Sequence, residues 1–254
     1  MKASLMLSFI AASVLLGCAS GNQQSQVARQ NGQLTPNYDQ AYDNYLALGA
    51  QYLQIGRYDL AEPKLIRAIE IDSSQPEAWN VLAVMYEQKR DISAGFNAYQ
   101  KLINSHPNYV LGYFNFATFL CKFERDSEAQ ALYQQMRAKG GDFATMSYIV
   151  EGNCAHKRGK TLQAENSYKQ ALAHDPYSSG ALLPLAEIAL ERGDGQAALN
   201  YLKVVHTYVG YSAESAYLGI LAARKVGDVR TEEDLMRMMR ATYRNTEQAK
   251  SLGI

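Results

Sequence analysis

The chain has 254 residues, and its 25 lysines and arginines are balanced by 25 aspartates and glutamates. That balance argues against a nucleic-acid-binding protein, which needs a basic surface to replace the counterions of the phosphates. Apolar residues make up 47% of the chain, enough to build a sizeable core. Its three cysteines are too few for a disulfide-rich scaffold or a four-thiolate metal site.

Residues 1–17 have the pattern of a secretory signal peptide. Lys2 precedes an apolar run over residues 5–16, which is too short to span a bilayer comfortably. The run ends in Leu-Leu-Gly followed by Cys18, which resembles a bacterial lipobox, and this resemblance implies a lipidated cysteine at the mature N-terminus. Ala19 follows, and in Gram-negative lipoproteins this implies delivery to the outer membrane, facing the periplasm. The alternative is an ordinary cleaved signal with an incidental cysteine.

Residues 18–37 are predicted to form the lipidated cysteine and a flexible polar linker. Gln, Asn, Ser and Gly dominate this stretch, and few of its residues are apolar. A diacylglycerol together with an N-acyl chain would anchor the protein stably, since one chain alone holds only marginally. We therefore predict a signal peptide over 1–17, a lipidated linker over 18–37 and a folded region over 38–254.

The folded region contains a repeat of 34 residues. The repeats begin near residues 42, 76, 110, 145, 179 and 212, with large residues at positions 4, 7 and 24 and small ones at 8 and 20. Positions 4, 7, 8 and 11 share one face of a first helix, and positions 20, 24 and 27 share one face of a second helix. This pattern resembles the tetratricopeptide repeat. It predicts an all-α fold, a right-handed superhelix of about six helix-turn-helix repeats.

Glycine, aspartate and proline indicate where the helices end or bend. Turns are expected between the two helices of a repeat at Gly56-Arg57, Arg90-Asp91, Gly159-Lys160 and Gly193-Asp194. Pro63 and Pro184 fall inside predicted helices and either kink them or mark early turns.

The first helices of such an array line a concave face. In tetratricopeptide repeats, positions 2, 5, 9, 12 and 13 point into it, and here these positions are largely apolar. An apolar groove fits an amphipathic helix or an extended hydrophobic segment of a partner, although some of these residues are expected to pack only against neighbouring helices. Phe114 and Ile149 lie mid-array on adjacent repeats and are the expected anchors. The predicted groove residues are Leu46, Ala50, Leu53, Asn80, Val84, Leu111, Phe114, Thr118, Ile149, Asn153, His156 and Leu183.

Cys121 and Cys154 occupy positions 12 and 10 of repeats 3 and 4. First helices of neighbouring repeats stack, so the two thiols are expected to lie within bridging reach. A lipoprotein enters an oxidising compartment, which favours a disulfide between them. The alternative is two buried free thiols.

The sequence favours no catalytic site. The four histidines are scattered, and the chain contains no HExxH, G-x-S-x-G, P-loop or Rossmann fingerprint. We therefore expect a protein that is not an enzyme and that uses no metal, no cofactor and no small-molecule substrate.

Three stretches, residues 45–79, 112–129 and 151–172, carry a more specific resemblance. Together with the signal peptide, the lipobox and the cysteine pair, they resemble the PilF/PilW family of type IV pilus biogenesis lipoproteins. The resemblance implies a pilotin or assembly factor that binds the outer-membrane secretin and promotes its membrane localisation and multimerisation. The alternative is another periplasmic repeat lipoprotein, an adaptor for β-barrel assembly or for peptidoglycan enzymes.

Overall fold

The protein was analysed as a computed structural model, which describes residues 29–30, 33–34 and 38–254. The predicted signal peptide and Cys18 lie outside the described residues. The chain divides into two units, Met1–Tyr38 and Asp39–Ile254. In the first unit, strands β1 (Arg29–Gln30) and β2 (Gln33–Leu34) pair antiparallel.

The remaining described residues form thirteen helices. The predicted all-α repeat fold is therefore confirmed. The helices are α1 (Tyr38–Gln54), α2 (Tyr58–Ile71), α3 (Pro76–Gln88), α4 (Ile92–Ser105), α5 (Val110–Lys122), α6 (Asp126–Lys139), α7 (Gly141–Lys157), α8 (Thr161–His174), α9 (Ser179–Glu191), α10 (Gly195–Tyr208), α11 (Ala213–Val226), α12 (Val229–Thr242) and α13 (Glu247–Ser251).

The first twelve helices form six consecutive pairs, and each pair packs against the next. Helices α3, α5 and α9 begin at Pro76, Val110 and Ser179, where the 34-residue pattern begins its second, third and fifth repeats. Helix α7 begins at Gly141, four residues before the start that the pattern predicts at 145. Gly140 and Gly141, both with positive φ, make the turn that lets this helix begin early.

Small residues let the two helices of a pair approach closely. A Cβ atom added at Gly49 would lie 2.7 Å from Leu65, and one added at Gly152 would lie 2.6 Å from Tyr168. Glycine at position 8 therefore faces the large side chain at position 24 of the same repeat.

The four predicted turns coincide with a left-handed residue between the paired helices. Gly56, Gly159 and Gly193 have φ between 71° and 81°, and Arg90 has φ 59°. Only glycine adopts such angles without steric cost. The helix that follows each turn is capped in two of these cases by an aspartate, since Asp91 and Asp194 accept backbone hydrogen bonds from Ala94 and Ala197.

Pro63 and Pro184 lie inside α2 and α9, each five residues after the first residue of its helix. Neither proline marks an early turn, because both helices continue for at least seven residues beyond it. Each costs its helix one backbone hydrogen bond, since proline has no N–H to donate to the carbonyl four residues earlier.

Candidate partner-binding groove

The predicted groove residues differ in how much of their surface they expose. Leu111, Thr118 and Asn153 are exposed, whereas Leu53 and Ile149 are buried. The other members, Leu46, Ala50, Asn80, Val84, Phe114, His156 and Leu183, are partly buried.

In the N-terminal repeats, several groove positions serve the packing of the array itself. Leu53 belongs to the core of repeats 1 and 2, and Leu46 and Val84 pack against that core. Asn80 accepts a 2.9 Å hydrogen bond from the side-chain amide of Asn115, which joins α3 to α5. Leu111, at 47% exposure, is the most open apolar member of the predicted set.

Four predicted residues, Phe114, Ile149, Asn153 and Leu183, come together in one cavity of about 600 Å³, which we call the concave cavity. It is formed by the first helices α5, α7, α9 and α11 and by the loops that precede α9 and α11. Its volume lies within the usual range of about 300–1,000 Å³ for ligand pockets. Its other lining residues are Met146, Asp175, Tyr177, Ser178, Ser179, Gly180, Pro184, Val209 and Glu214.

The structure changes the role expected for Ile149. Its side chain is 4% exposed and packs in the core of repeats 4 and 5. It therefore forms part of the floor of the concave cavity, and it is too enclosed to serve as the projecting anchor that the sequence suggested. Phe114 is partly exposed and packs against the cores on both sides of it, so it forms a wall of the same cavity.

Polar groups on the concave face are held in place by neighbours. The Tyr168 hydroxyl donates a 2.8 Å hydrogen bond to the Asn153 side chain, and burial raises the pKa of that phenol. His156 Nε2 lies 3.6 Å from a Glu191 carboxylate oxygen. These contacts fix the orientation of side chains along the groove, and none resembles a nucleophile–base pair.

Sequence reasoning missed the residues at the C-terminal end of the groove. Tyr177 and Val209 lie in loops between repeats, where no repeat position predicts their direction. Glu187 is position 9 of repeat 5 and therefore could have been found, because that position is among those expected to face the groove. The predicted groove set contains only apolar and neutral residues, so it omits this carboxylate.

Cys121 and Cys154 form a disulfide that joins α5 to α7, with Cα atoms 5.9 Å apart. Two ion pairs reinforce the junction of repeats 3 and 4. Arg158 lies 2.7 Å from Asp126, and Arg137 pairs with Glu151. The second pair explains a carboxylate at a usually apolar repeat position, since Glu151 reaches a guanidinium instead of the core.

Among the described residues, no group of three or more histidine, cysteine, aspartate or glutamate side chains is arranged to hold a metal ion. None of the helices in the described part of the chain has the length and apolar character needed to cross a bilayer.

Comparisons with known proteins agree with the repeat architecture. Tetratricopeptide-repeat family profiles match residues 46–110 and 155–206. The type IV pilus assembly protein PilF of Pseudomonas aeruginosa is 26% identical over 226 residues, which are 87% of this chain and 86% of that protein. These matches confirm the resemblance that the sequence indicated.

Two solved structures share the fold over nearly their full length. The crystal structure of PilW, a widely conserved type IV pilus biogenesis factor, has a TM-score of 0.57 and 21% identity, covering 85% of this chain and 99% of PilW. The structure of Pseudomonas aeruginosa PilF has a TM-score of 0.51 and 22% identity, covering 86% of this chain and 99% of that one.

Proposed function

We propose that this tetratricopeptide-repeat chain is an outer-membrane lipoprotein that acts as a scaffold and pilotin in type IV pilus biogenesis. In this proposal, Cys18 carries the lipid, the repeats bind the secretin, and binding promotes secretin localisation and multimerisation. The observation that carries the proposal is the similarity to PilF, which extends over 87% of this chain and 86% of the relative. This similarity extends well beyond residues 46–110 and 155–206, the two segments that the repeat profiles match.

The proposed mechanism combines the anchor and the groove. A lipid anchor confines the array to the membrane and raises the effective concentration of any bound client there. The concave cavity offers apolar side chains to a client segment that would otherwise aggregate before assembly. Neither step requires bond chemistry, so the proposal assigns no catalytic residue, cofactor or small-molecule substrate.

Deletion of the gene tests the proposal. We expect secretin multimers, scored by gel mobility of membrane extracts, to disappear together with surface pili, and both to return on complementation. Intact multimers and normal piliation in the deletion strain would refute the pilotin role. Co-purification from membrane extracts adds a second measurement, because barrel-assembly proteins or peptidoglycan enzymes in place of the secretin would point to the adaptor role.

A further inference from the structure

A second, smaller cavity adjoins the concave cavity at its C-terminal end. It measures about 280 Å³ and is lined by residues of α9, α11 and α13. Glu214 lines both cavities, so they form one continuous surface. The lining residues of the second cavity are Glu187, Glu214, Tyr217, Leu218, Glu247, Gln248 and Ser251.

This surface is acidic although the whole chain has a formal net charge of zero. Four carboxylates, those of Asp175, Glu187, Glu214 and Glu247, line the two cavities, and no lysine or arginine is found among the described residues that line them. The carboxylates of exposed acidic side chains on one surface repel one another and attract cations.

Two of the four carboxylates remain available to a partner. Asp175 accepts the backbone N–H of Tyr177, and Glu247 pairs with Lys250 at 2.6 Å. Glu187 and Glu214 are exposed and form no ion pair or hydrogen bond within the described part of the chain.

The rim of the concave cavity exposes apolar side chains beside these carboxylates. Tyr177 is 48% exposed, and Val209 is 54% exposed. The ring of Tyr177 packs against that of Tyr208, with 4.2 Å between the centroids, and Tyr208 is itself 63% exposed. Exposed apolar groups concentrated beside a cavity are typical of a protein-binding site.

We propose that the two cavities form one docking surface for a basic amphipathic helix of a partner protein. Apolar side chains of that helix enter the concave cavity between Phe114 and Val209. Its lysines or arginines pair with Glu187 and Glu214, the two carboxylates that have no partner among residues 38–254. Helix-in-groove recognition requires an apolar floor beside a polar rim, and both are present here. The inference rests on the proposed function and specifies the chemistry of the client segment.

A synthetic peptide tests the charge requirement. The probe is a fluorescent amphipathic helix of leucine and lysine of about 18 residues, roughly five turns, compared with the same peptide carrying glutamate in place of lysine. Binding is measured by anisotropy on the full chain in phosphatidylcholine vesicles, with protein-free vesicles subtracted. We expect the lysine peptide to bind and the glutamate peptide not to bind. Equal binding of the two peptides would overturn the inference.

Variants locate the binding surface. The double variant Glu187→Gln, Glu214→Gln should weaken binding of the lysine peptide by about three- to tenfold, because each exposed pair contributes modestly. The matched control Glu124→Gln, Glu233→Gln removes the same charge at exposed residues that line neither cavity, and it should leave the affinity unchanged. The inference is wrong if both double variants behave alike.

The apolar part has its own matched pair. Val209→Ser should weaken binding by about two- to fivefold, because the bound peptide no longer covers the apolar surface of the valine side chain. Val229→Ser, at a position 63% exposed on α12, should have no effect. Equal effects of these two changes would show that the peptide does not enter the concave cavity.

The outcomes separate this inference from the pilotin proposal. If no peptide binds but secretin multimers still depend on the chain, the docking surface is wrong and the pilotin role stands. If the lysine peptide binds as described but the deletion strain assembles normal multimers, the docking surface stands and the pilotin role fails.

Discussion

The central repeats and the two C-terminal repeats hold their helices together in different ways. In the central part, Phe119 packs within 4.8–6.4 Å, between ring centroids, of Tyr99, Phe116 and Phe123. A disulfide and two ion pairs then fasten repeat 3 to repeat 4. The core that joins repeat 5 to repeat 6 is instead built from alanine and leucine, with Ala186, Ala189, Ala198, Leu202, Leu218 and Ala222 buried together.

This difference corresponds to a division of roles along the groove. The cross-linked central repeats supply the wall and floor of the concave cavity through Phe114 and Ile149. The C-terminal repeats supply the exposed rim, including Val209 and Glu214. The tightly packed repeats thus form the wall and floor of the cavity, and the exposed side chains that can contact a partner lie on its C-terminal rim.

Removing the disulfide should have the largest effect on this contrast. The double change Cys121→Ser, Cys154→Ser opens a loop whose ends are 33 residues apart. The loop-entropy relation gives a loss of about 3–4 kcal/mol in the free energy of unfolding. Urea unfolding followed by circular dichroism measures it. Because repeat arrays unfold through nearest-neighbour interfaces, the central repeats should also lose cooperativity.

Reduction of the wild-type chain is the matched control for that variant. It opens the same bond without changing a side chain and should lower the unfolding midpoint to a similar extent. If neither treatment moved the midpoint, the disulfide would not be the source of the central repeats' stability, and aromatic packing and the two ion pairs would account for it.

Alkaline pH should weaken the central repeats through buried tyrosine. Tyr133 is 2% exposed, and burial, assisted by the negative charge of Glu151, raises its pKa to about 12. The unfolded chain releases this proton near pH 10, so folded protein binds more protons between pH 10 and 12. The contribution of the neutral phenol to the free energy of unfolding is therefore fully present below about pH 10. It amounts to about 2–3 kcal/mol and is lost as the pH rises through 12.

Tyr133→Phe isolates that contribution. The variant should lose less stability than the wild type between pH 10 and 12 in urea unfolding. Tyr177→Phe, which removes a hydroxyl from the exposed rim, serves as the control and should follow the wild-type pH profile. A profile for Tyr133→Phe identical to that of the wild type would contradict the assignment.

Periodicity made the helix pairs predictable, because core contacts recur at fixed positions. The same regularity brought Cys121 and Cys154 together on neighbouring first helices, where the structure has a disulfide. The groove was less predictable. Whether Ile149 projects or forms a floor depends on its packing against the next repeat, and Tyr177 and Val209 lie in loops outside the repeat pattern.

The turns between paired helices provide the smallest predicted effect, and they distinguish repeats 2 and 3 from the other repeats. Arg90 and Glu124 have φ 59° and 56°, whereas glycine occupies the corresponding turn in the other repeats. A left-handed conformation costs a residue with a Cβ about 1–2 kcal/mol, partly offset because glycine adds freedom to the unfolded chain. Arg90→Gly should therefore stabilise the protein by about 0.5–1 kcal/mol.

Urea unfolding of Arg90→Gly and of Gly193→Ala tests this in both directions. The second change places a Cβ at φ 81° in a C-terminal repeat and should destabilise by a similar amount. Opposite signs would mean that repeat 2 keeps a strained turn, whose cost its aromatic packing outweighs, whereas the glycine turn of repeat 5 carries no such strain. A loss of stability in Arg90→Gly would instead mean that the arginine contributes more to this turn than its backbone strain costs, and the strain would then not distinguish the two regions.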